Sequence, residues 1–516
     1  MLGKYLEGIE NENIGVIVNL FSKQFLNKQY NIFQIPPSNY VEYINLNEIN
    51  TIFIDNDLYE RDHKWFNKEM NGLIAHSKLN DIEIIVIKNT AQKISNSLLD
   101  FYHININLEK RIEIFEKELT LPIIVDERQY NPIDSHKKLD ILYLSNQKII
   151  RTEGIQALHI NIKPEREEFI LSELTKKEIK ALLSKVKEAK CLYIYNPERF
   201  DPVILRYIEI ISTLQNTIVF YSSETIDSEI ATIDNDVNIV NKLVIIIKNK
   251  LIREKECLPK QRIVFLENTF IKFEGLNYTF NNPKDEVGIS VITSTNRKYN
   301  LEKYIENINQ QAHVNLQVVL VTHGFLLSSE ETKELYNRIN KSIELEIVHI
   351  NEEAPLGVCL NAAIKHIKYD YVAKMDDDDF YFKNYLIDAW IASKYSGADL
   401  VGKLTSYTFL ENSKIIIMKH KNTHRRYNNF VMGATFFAKS SLMKKYMFSY
   451  LPTGEDSDFL RRINEDNAII YADQPYNFCI YRSGNTGTHT WKISDLEYMK
   501  NSEIVSFDSP KNLLLF

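Results

Sequence analysis

Tyr371-Val372-Ala373-Lys374-Met375-Asp376-Asp377-Asp378-Asp379-Phe380 is a short apolar strand that runs straight into four consecutive carboxylates. Four like charges side by side repel, and repulsion raises carboxylate pKa values unless something positive sits among them. At the end of a buried strand, a divalent cation held by oxygen ligands meets that need. A solvated acidic turn is the alternative, because most charge runs are exposed. What surrounds the run favours the cation.

Upstream, strands and helices alternate. Ile289-Ser290-Val291-Ile292-Thr293 reads as a strand, and Asn300 is expected to cap a helix whose apolar face is Leu301, Tyr304, Ile305 and Ile308. Leu316 to Val321 reads as a second strand, followed by a helix from Ser328 to Asn340. Leu345 to Ile350 is a third strand, and Leu356, Leu360, Ala363, Ile364 and Ile367 stripe a third helix. The fourth strand delivers the acidic run. In such an α/β unit ligands lie outside the carboxyl ends of the strands, where the run sits.

The rest of the chain sets the bounds. Its 516 residues are too many for one ordinary core, and 44% hydrophobic with 25% charged residues is a globular composition. A net charge of -7 argues against nonspecific nucleic-acid binding by the whole chain. Cys191, Cys257, Cys359 and Cys479 lie far apart without a CxxC pair, which fits a reducing compartment and no structural zinc. No signal peptide opens the chain, and no apolar run is long enough to span a bilayer. A cytoplasmic protein, at most peripheral to a membrane, is the expectation. Leu243 to Ile247, with lysines on both sides, is read as a core element rather than a membrane-surface helix.

Before the loop Asn131-Pro132-Ile133-Asp134-Ser135, strand patterns at Ile14–Val18, Thr51–Asp55 and Ile82–Ile87 alternate with a helical pattern around Trp65, Phe66, Met70 and Leu73. After it the alternation restarts: strands at Leu139–Leu144, Cys191–Tyr195 and Thr217–Tyr221, helices at Leu171–Ala189 and Val203–Leu214. No GxGxxG follows the first strand, so the dinucleotide fingerprint is absent. A second break at Asn281-Asn282-Pro283-Lys284-Asp285 completes a division into 1–131, 132–283 and 284–516. Through Ile54-Asp55-Asn56-Asp57 and Ile141-Leu142-Tyr143-Leu144-Ser145, the two N-terminal Rossmann-like units resemble the two-lobed GT-B architecture. They look most like spore-maturation glycosyltransferase-like proteins. A structural or acceptor-recruiting role is preferred for them.

From about residue 287 to 495 the chain resembles the family-2 glycosyltransferases of the GT-A fold. Ile289 to Arg297 looks like that family's first strand and nucleotide loop, Leu356 to Ala363 like its glycine-led helix, Lys374 to Asp379 like its DxD, and Thr453-Gly454-Glu455-Asp456 like its ED motif. The resemblance implies an α/β chain with two Rossmann-like units before a nucleotide-diphospho-sugar transferase domain. It implies Mn²⁺ or Mg²⁺, touched by Asp378 with Asp376 as companion, and neutralising the leaving diphosphate as a Lewis acid. Asp376 and Asp377 then face the ribose and the metal's water shell. Thr293, Ser294, Thr295 and Arg297 line the nucleotide loop.

By the same resemblance Asp456 is the base of an inverting displacement, with Glu455 beside it. Thr453-x-x-Asp456 also reads as a capping box, and a helix N-terminus would keep Asp456 ionised. A late histidine often completes a GT-A metal site, which makes His489 a candidate ligand; a solvent-facing loop histidine is the alternative. Asp379 is expected to be a surface carboxylate opening the next helix. His420 to Tyr427 reads as either a closing loop or a solvated one. Gly433 in Gly433-Ala434-Thr435-Phe436-Phe437 is expected to leave room for a sugar.

The partners implied are a nucleotide-sugar donor, with UDP preferred, and a glycan, polymer or protein acceptor. A homo-oligomer is left open. One departure concerns the base: Thr322-His323-Gly324-Phe325 stands where the family places an acidic pair. No QxxRW motif is present, against a processive membrane synthase. The rivals are a sugar nucleotidyltransferase, which needs glycine in the loop from Ser294 to Asn300, and an inactive carbohydrate-binding or scaffold protein.

Overall fold

The computed structural model describes residues 13–17, 31–37, 39–55, 68–89, 102–107, 113–115, 118–135, 137–145, 157–161, 176–195, 202–222, 232–233, 239–269, 271, 287–350, 354–484, 494–507 and 509–514. The chain divides into two compact units, Met1–Asn281 and Asn282–Phe516.

The first unit holds two largely parallel sheets. Counting strands along the chain within each sheet, the first runs 2-1-3-4-5-7-6 and the second 2-1-3-4-5. The first extends from Asn31–Gln34 through Asn13–Ile17, Thr51–Asp55, Glu83–Asn89 and Tyr102–Asn107 to the hairpin of Glu118–Pro122 and Glu113–Phe115. The second is Thr232–Ile233, Ile218–Tyr221, Ala189–Ile194, Leu139–Ser145 and Ala157–Asn161. Parallel strands require crossovers, supplied by helices such as Lys68–Leu79 and Pro202–Leu214. Trp65 and Phe66 lie outside the described residues, as does the first part of the helix expected from Leu171. Leu243, Ile246 and Ile247 are buried on the helix Ile239–Lys248, with Ile245 half exposed, so this segment is a core element.

The second unit is built on an eight-stranded sheet. Its order is Glu344–Ile350, Val314–His323, Val287–Thr295, Tyr371–Lys374, Phe437–Lys439, Leu400–Lys403, Ile470–Asp473 and Arg426–Tyr427. The first four strands are parallel, and Phe437–Lys439 runs antiparallel to both neighbours. A smaller sheet joins Phe380–Tyr381, Phe478–Arg482, Ser406–Leu410, Ile415–Lys419 and Glu503–Ser506. Ile292, Val319, Val321, Leu360, Ile364, Val372, Phe436 and Phe459 share one buried core. Leu514 is fully buried on this chain, and its carbonyl accepts from the Asn477 N–H at 3.2 Å.

Two capping expectations fail for local reasons. Lys298–Asn300 forms a 3-10 turn ahead of the helix Leu301–Asn309, so Asn300 has helical φ and ψ and makes no side-chain cap. Gly454, at φ 84, leads into the helix Glu455–Glu465 with no side-chain cap, so the Thr453 capping box does not form. Ser328 does cap Ser329–Arg338, in a reciprocal box with Glu331.

Candidate active site

Sheet register assembles the site. Ile289 pairs with Tyr371 and Ile292 with Lys374, so the end of Val287–Thr295 and the acidic run emerge side by side. Past the strand the chain bends, and exposure alternates along the run. Asp377 and Asp379 are buried, whereas the side chains of Asp376 and Asp378 are 35% and 28% exposed.

Each carboxylate has its own partners. Asp377 receives Thr295 Oγ1 at 2.5 Å on one oxygen and the Arg297 guanidinium on the other. Burial pushes Asp377 up, and Arg297 pulls it back. Arg297 Nη1 also donates to Asp378 Oδ2 at 2.7 Å. Asp376 Oδ1 accepts from Lys374 Nζ at 2.8 Å. Asp379 accepts from the Tyr481 N–H at 3.0 Å, and burial drives it well above the usual carboxylate range. It is therefore no surface carboxylate opening a helix: the residues after it form the short strand Phe380–Tyr381 instead.

Positive charge does sit among the acids, and it belongs to the chain itself. Lys303 donates to the Asp378 carbonyl, and its ammonium stands 3.8 Å and 3.9 Å from the ring centres of Phe380 and Tyr481. Burial lowers its pKa to about 8 against the pull of Asp379 and Asp378. Asn307 donates to the Asp379 carbonyl at 2.8 Å and accepts from the Tyr381 N–H at 3.2 Å. Gln310 and Gln311 donate to the Tyr381 carbonyl at 2.8 and 3.1 Å. Helix Leu301–Asn309 and the two glutamines after it thus hold the backbone of the run carbonyl by carbonyl.

The second acidic motif arrives from far along the chain. Lys374 is fully buried, and its Nζ lies 3.5 Å from Asp456 Oδ2 as well as beside Asp376. Burial alone would depress this ammonium, but the two carboxylates outweigh it and hold it above the ordinary lysine range. Asp456 occupies the first turn of Glu455–Glu465, after the buried Glu455. Burial pushes its carboxyl up to about 6, opposed by Lys374. The helix N-terminus therefore does not dominate its titration. Asp456 Oδ1 is buried and has no hydrogen-bond partner among the described residues.

The other named residues take quieter places. Thr293 is buried, with its hydroxyl 2.8 Å from the Tyr304 hydroxyl and donating to the Met375 carbonyl at 2.7 Å. Ser294 lies beside the Cys359 thiol. His489 lies outside the described residues. Gly433 sits against Asp456: a Cβ there would coincide with the carboxylate, so the glycine makes room for the acid. Thr322 Oγ1 is 3.3 Å from His349 Nδ1, and burial holds His323 below the ordinary histidine value. In the basic loop, Arg426–Tyr427 is an edge strand paired with Ile470–Asp473, and the Tyr427 hydroxyl donates to the Ser396 carbonyl at 2.8 Å.

Lys303, Asn307 and Tyr381 carry no sequence signal, because their task is fixed by neighbours in space. Lys374 did carry one: a lysine inside a buried apolar strand demands a counter-ion.

Oxygen donors with open lone pairs suit Mg²⁺ or Mn²⁺, which bind through one or two carboxylates and complete their shell from phosphates. Asp376 and Asp378 fit that pattern. Among the described residues no group of three or more His, Cys, Asp or Glu is placed to hold an ion by itself.

The family model for glycosyl transferase family 2 matches residues 290–441, less than a third of the chain. No curated protein matches the chain. Among solved structures, the chain is similar to S. aureus TarS at 20% identity over 38% of this chain and 37% of that one, with a TM-score of 0.31. Similar too is S. aureus TarS 1-349 in complex with UDP-GlcNAc, at 20% identity over 39% of this chain and 60% of that one, TM-score 0.31. Mannosyltransferase PcManGT from Pyrobaculum calidifontis, in complex with GDP-Man and Mn2+, gives 15% identity over 38% of this chain and 57% of that one, TM-score 0.31. The chain spans less than two thirds of each of these structures. The family match runs from the first strand of the second unit through the acidic run to its antiparallel neighbour, and on it the C-terminal half of the chain carries a family-2 glycosyltransferase domain of the GT-A type.

Proposed function

We propose that this chain is a metal-dependent inverting glycosyltransferase, moving a sugar from a nucleotide-sugar donor, with UDP preferred, to a hydroxyl of a glycan, polymer or protein. One observation carries the reading: Lys374 Nζ, 2.8 Å from Asp376 and 3.5 Å from Asp456, joins the acidic run to the second acidic motif across 82 residues. Donor-side and acceptor-side acids thereby share one centre.

A divalent cation held by Asp376 and Asp378 would supply Lewis-acid neutralisation of the leaving diphosphate. The chain's own residues do the rest. Asp456, with a pKa of about 6, is mostly ionised at neutral pH and remains basic enough to take a proton from an acceptor hydroxyl. The hydroxyl oxygen bonds to the anomeric carbon as the bond from that carbon to the diphosphate oxygen breaks. Attack opposite the leaving group inverts the centre. Lys374 keeps the carboxylate in place without taking the proton, since it is already charged. The division 1–131, 132–283 and 284–516 belongs to this proposal, with the N-terminal half positioning acceptor. So does a cytoplasmic site of action. Among the described residues no helix is long and apolar enough to cross a membrane.

The test is a panel of UDP-, GDP- and other nucleotide sugars with Mn²⁺, following nucleotide release and product anomer. Wild-type turnover with an inverted product, abolished in Asp456→Asn and Asp378→Ala, is the expected result. Turnover unchanged by either substitution, or a retained anomer, overturns the reading.

A further inference from the structure

The two outward carboxylates of the run are held in the same way. Asp376 has Oδ1 on Lys374, and Asp378 has Oδ2 on Arg297. Among the described residues neither residue's other carboxylate oxygen accepts a hydrogen bond, and both side chains are about a third exposed. Each acid is thus tied by one oxygen and open at the other. The tie on Asp378 does not end at Arg297. The same guanidinium grips Asp377, which is buried, and Asp377's second oxygen is taken by Thr295. Thr295 also accepts from the Arg297 N–H at 3.0 Å, closing a ring of contacts within the loop after the first strand.

We propose that Arg297 is a positioning residue for the cation site: anchored on buried Asp377, its planar fork orients Asp378 so that Oδ1 faces the ion. The inference rests on the metal-dependent reading above and assigns Arg297 a different task from contacting nucleotide. The fork divides itself between two residues and leaves Oδ1 of Asp378 clear. Partners that fix a ligating carboxylate from outside typically change metal affinity about 10–100-fold when removed. Lysine cannot replace such a fork, because an ammonium offers no planar pair of donors.

The experiment measures Mn²⁺ binding by electron paramagnetic resonance on the full chain, with and without UDP, so that turnover is not the readout. Arg297→Gln is expected to weaken Mn²⁺ binding about 10–100-fold. Arg297→Lys, which keeps the charge, should fall between the two, and Thr295→Val should move affinity in the same direction by a smaller factor. Near-ultraviolet circular dichroism identifies variants that remain folded; should Arg297→Gln not fold, Thr295→Val decides. Unchanged or tighter binding in the folded variants, full recovery in Arg297→Lys, or no Mn²⁺ binding by wild type overturns the inference. If wild type binds Mn²⁺ and the variants weaken it while no donor is turned over, the proposed reaction fails and the positioning role stands.

Discussion

Gly433 lies so close to Asp456 that a Cβ on the glycine would occupy the space of the carboxylate. Gly433–Thr435 is a single 3-10 turn leading into Phe437–Lys439, the strand antiparallel to the one that bears the acidic run. The proposed base is therefore seated against the same sheet that presents the proposed metal ligands. Gly433→Ala must push Asp456 aside. A displacement of about 1 Å at a reacting group costs about 100-fold in rate. Steady-state kinetics should show that loss in kcat with donor KM little changed.

If Asp456 is the base as proposed, its carboxyl, raised by burial to about 6, should set the acid limb of activity. The base acts deprotonated, so kcat should fall as pH drops through 6. Because Lys374 opposes the rise, Lys374→Met should move the limb to higher pH. The same change leaves two partly buried carboxylates without their ammonium, costing about 1–3 kcal/mol in denaturant unfolding. A limb that stays in place would show that Asp456 is not the group being titrated.

Tyr381 ties the run to the acceptor side through one hydroxyl. It accepts from the Asp376 N–H at 2.8 Å and donates to the Ala434 carbonyl at 2.7 Å. Tyr381→Phe keeps the ring and leaves both backbone groups unpaired. Unfolding free energy should drop by about 1–3 kcal/mol, with kcat reduced, both measurable on the same preparation.

Arg462 holds the loop that precedes the helix Glu455–Glu465. It donates to the Tyr446 and Met447 carbonyls at 2.6 and 2.7 Å and to Asp458 at 2.8 Å. Asp458 in turn receives the Ser449 hydroxyl. Arg462→Ala frees two carbonyls and one carboxylate together. A loss of about 1–3 kcal/mol is expected by chemical denaturation, and limited proteolysis should gain a cut between Met447 and Gly454.

Much of the C-terminal unit is legible in its residues. Ile289 to Thr293, Leu316 to Val321 and Tyr371 to Met375 are apolar runs long enough only for buried strands, and the structure has strands there. The exposure of Asp376 and Asp378 against the burial of Asp377 and Asp379 was not legible, because the run bends after the strand Tyr371–Lys374 and no strand period governs it. Local rules misled where a neighbour outweighed them. Thr453 had the spacing of a cap, but Gly454 turned left-handed and took that place. Asp456 sits at a helix N-terminus, yet burial raises its carboxyl where the helix end alone would lower it.

The sequence by itself determined the alternation of strands and helices, the order of the acidic motifs and the place of the run at a strand end. Those follow from hydrophobic period and chain direction, which are local. Tertiary structure decided which cations meet the four acids. Arg297 and Lys303 reach them from the first strand's loop and helix, and Lys374 reaches Asp456 across 82 residues. Such pairings depend on sheet register and on the desolvation of each charge, and both arise only when distant segments are packed together.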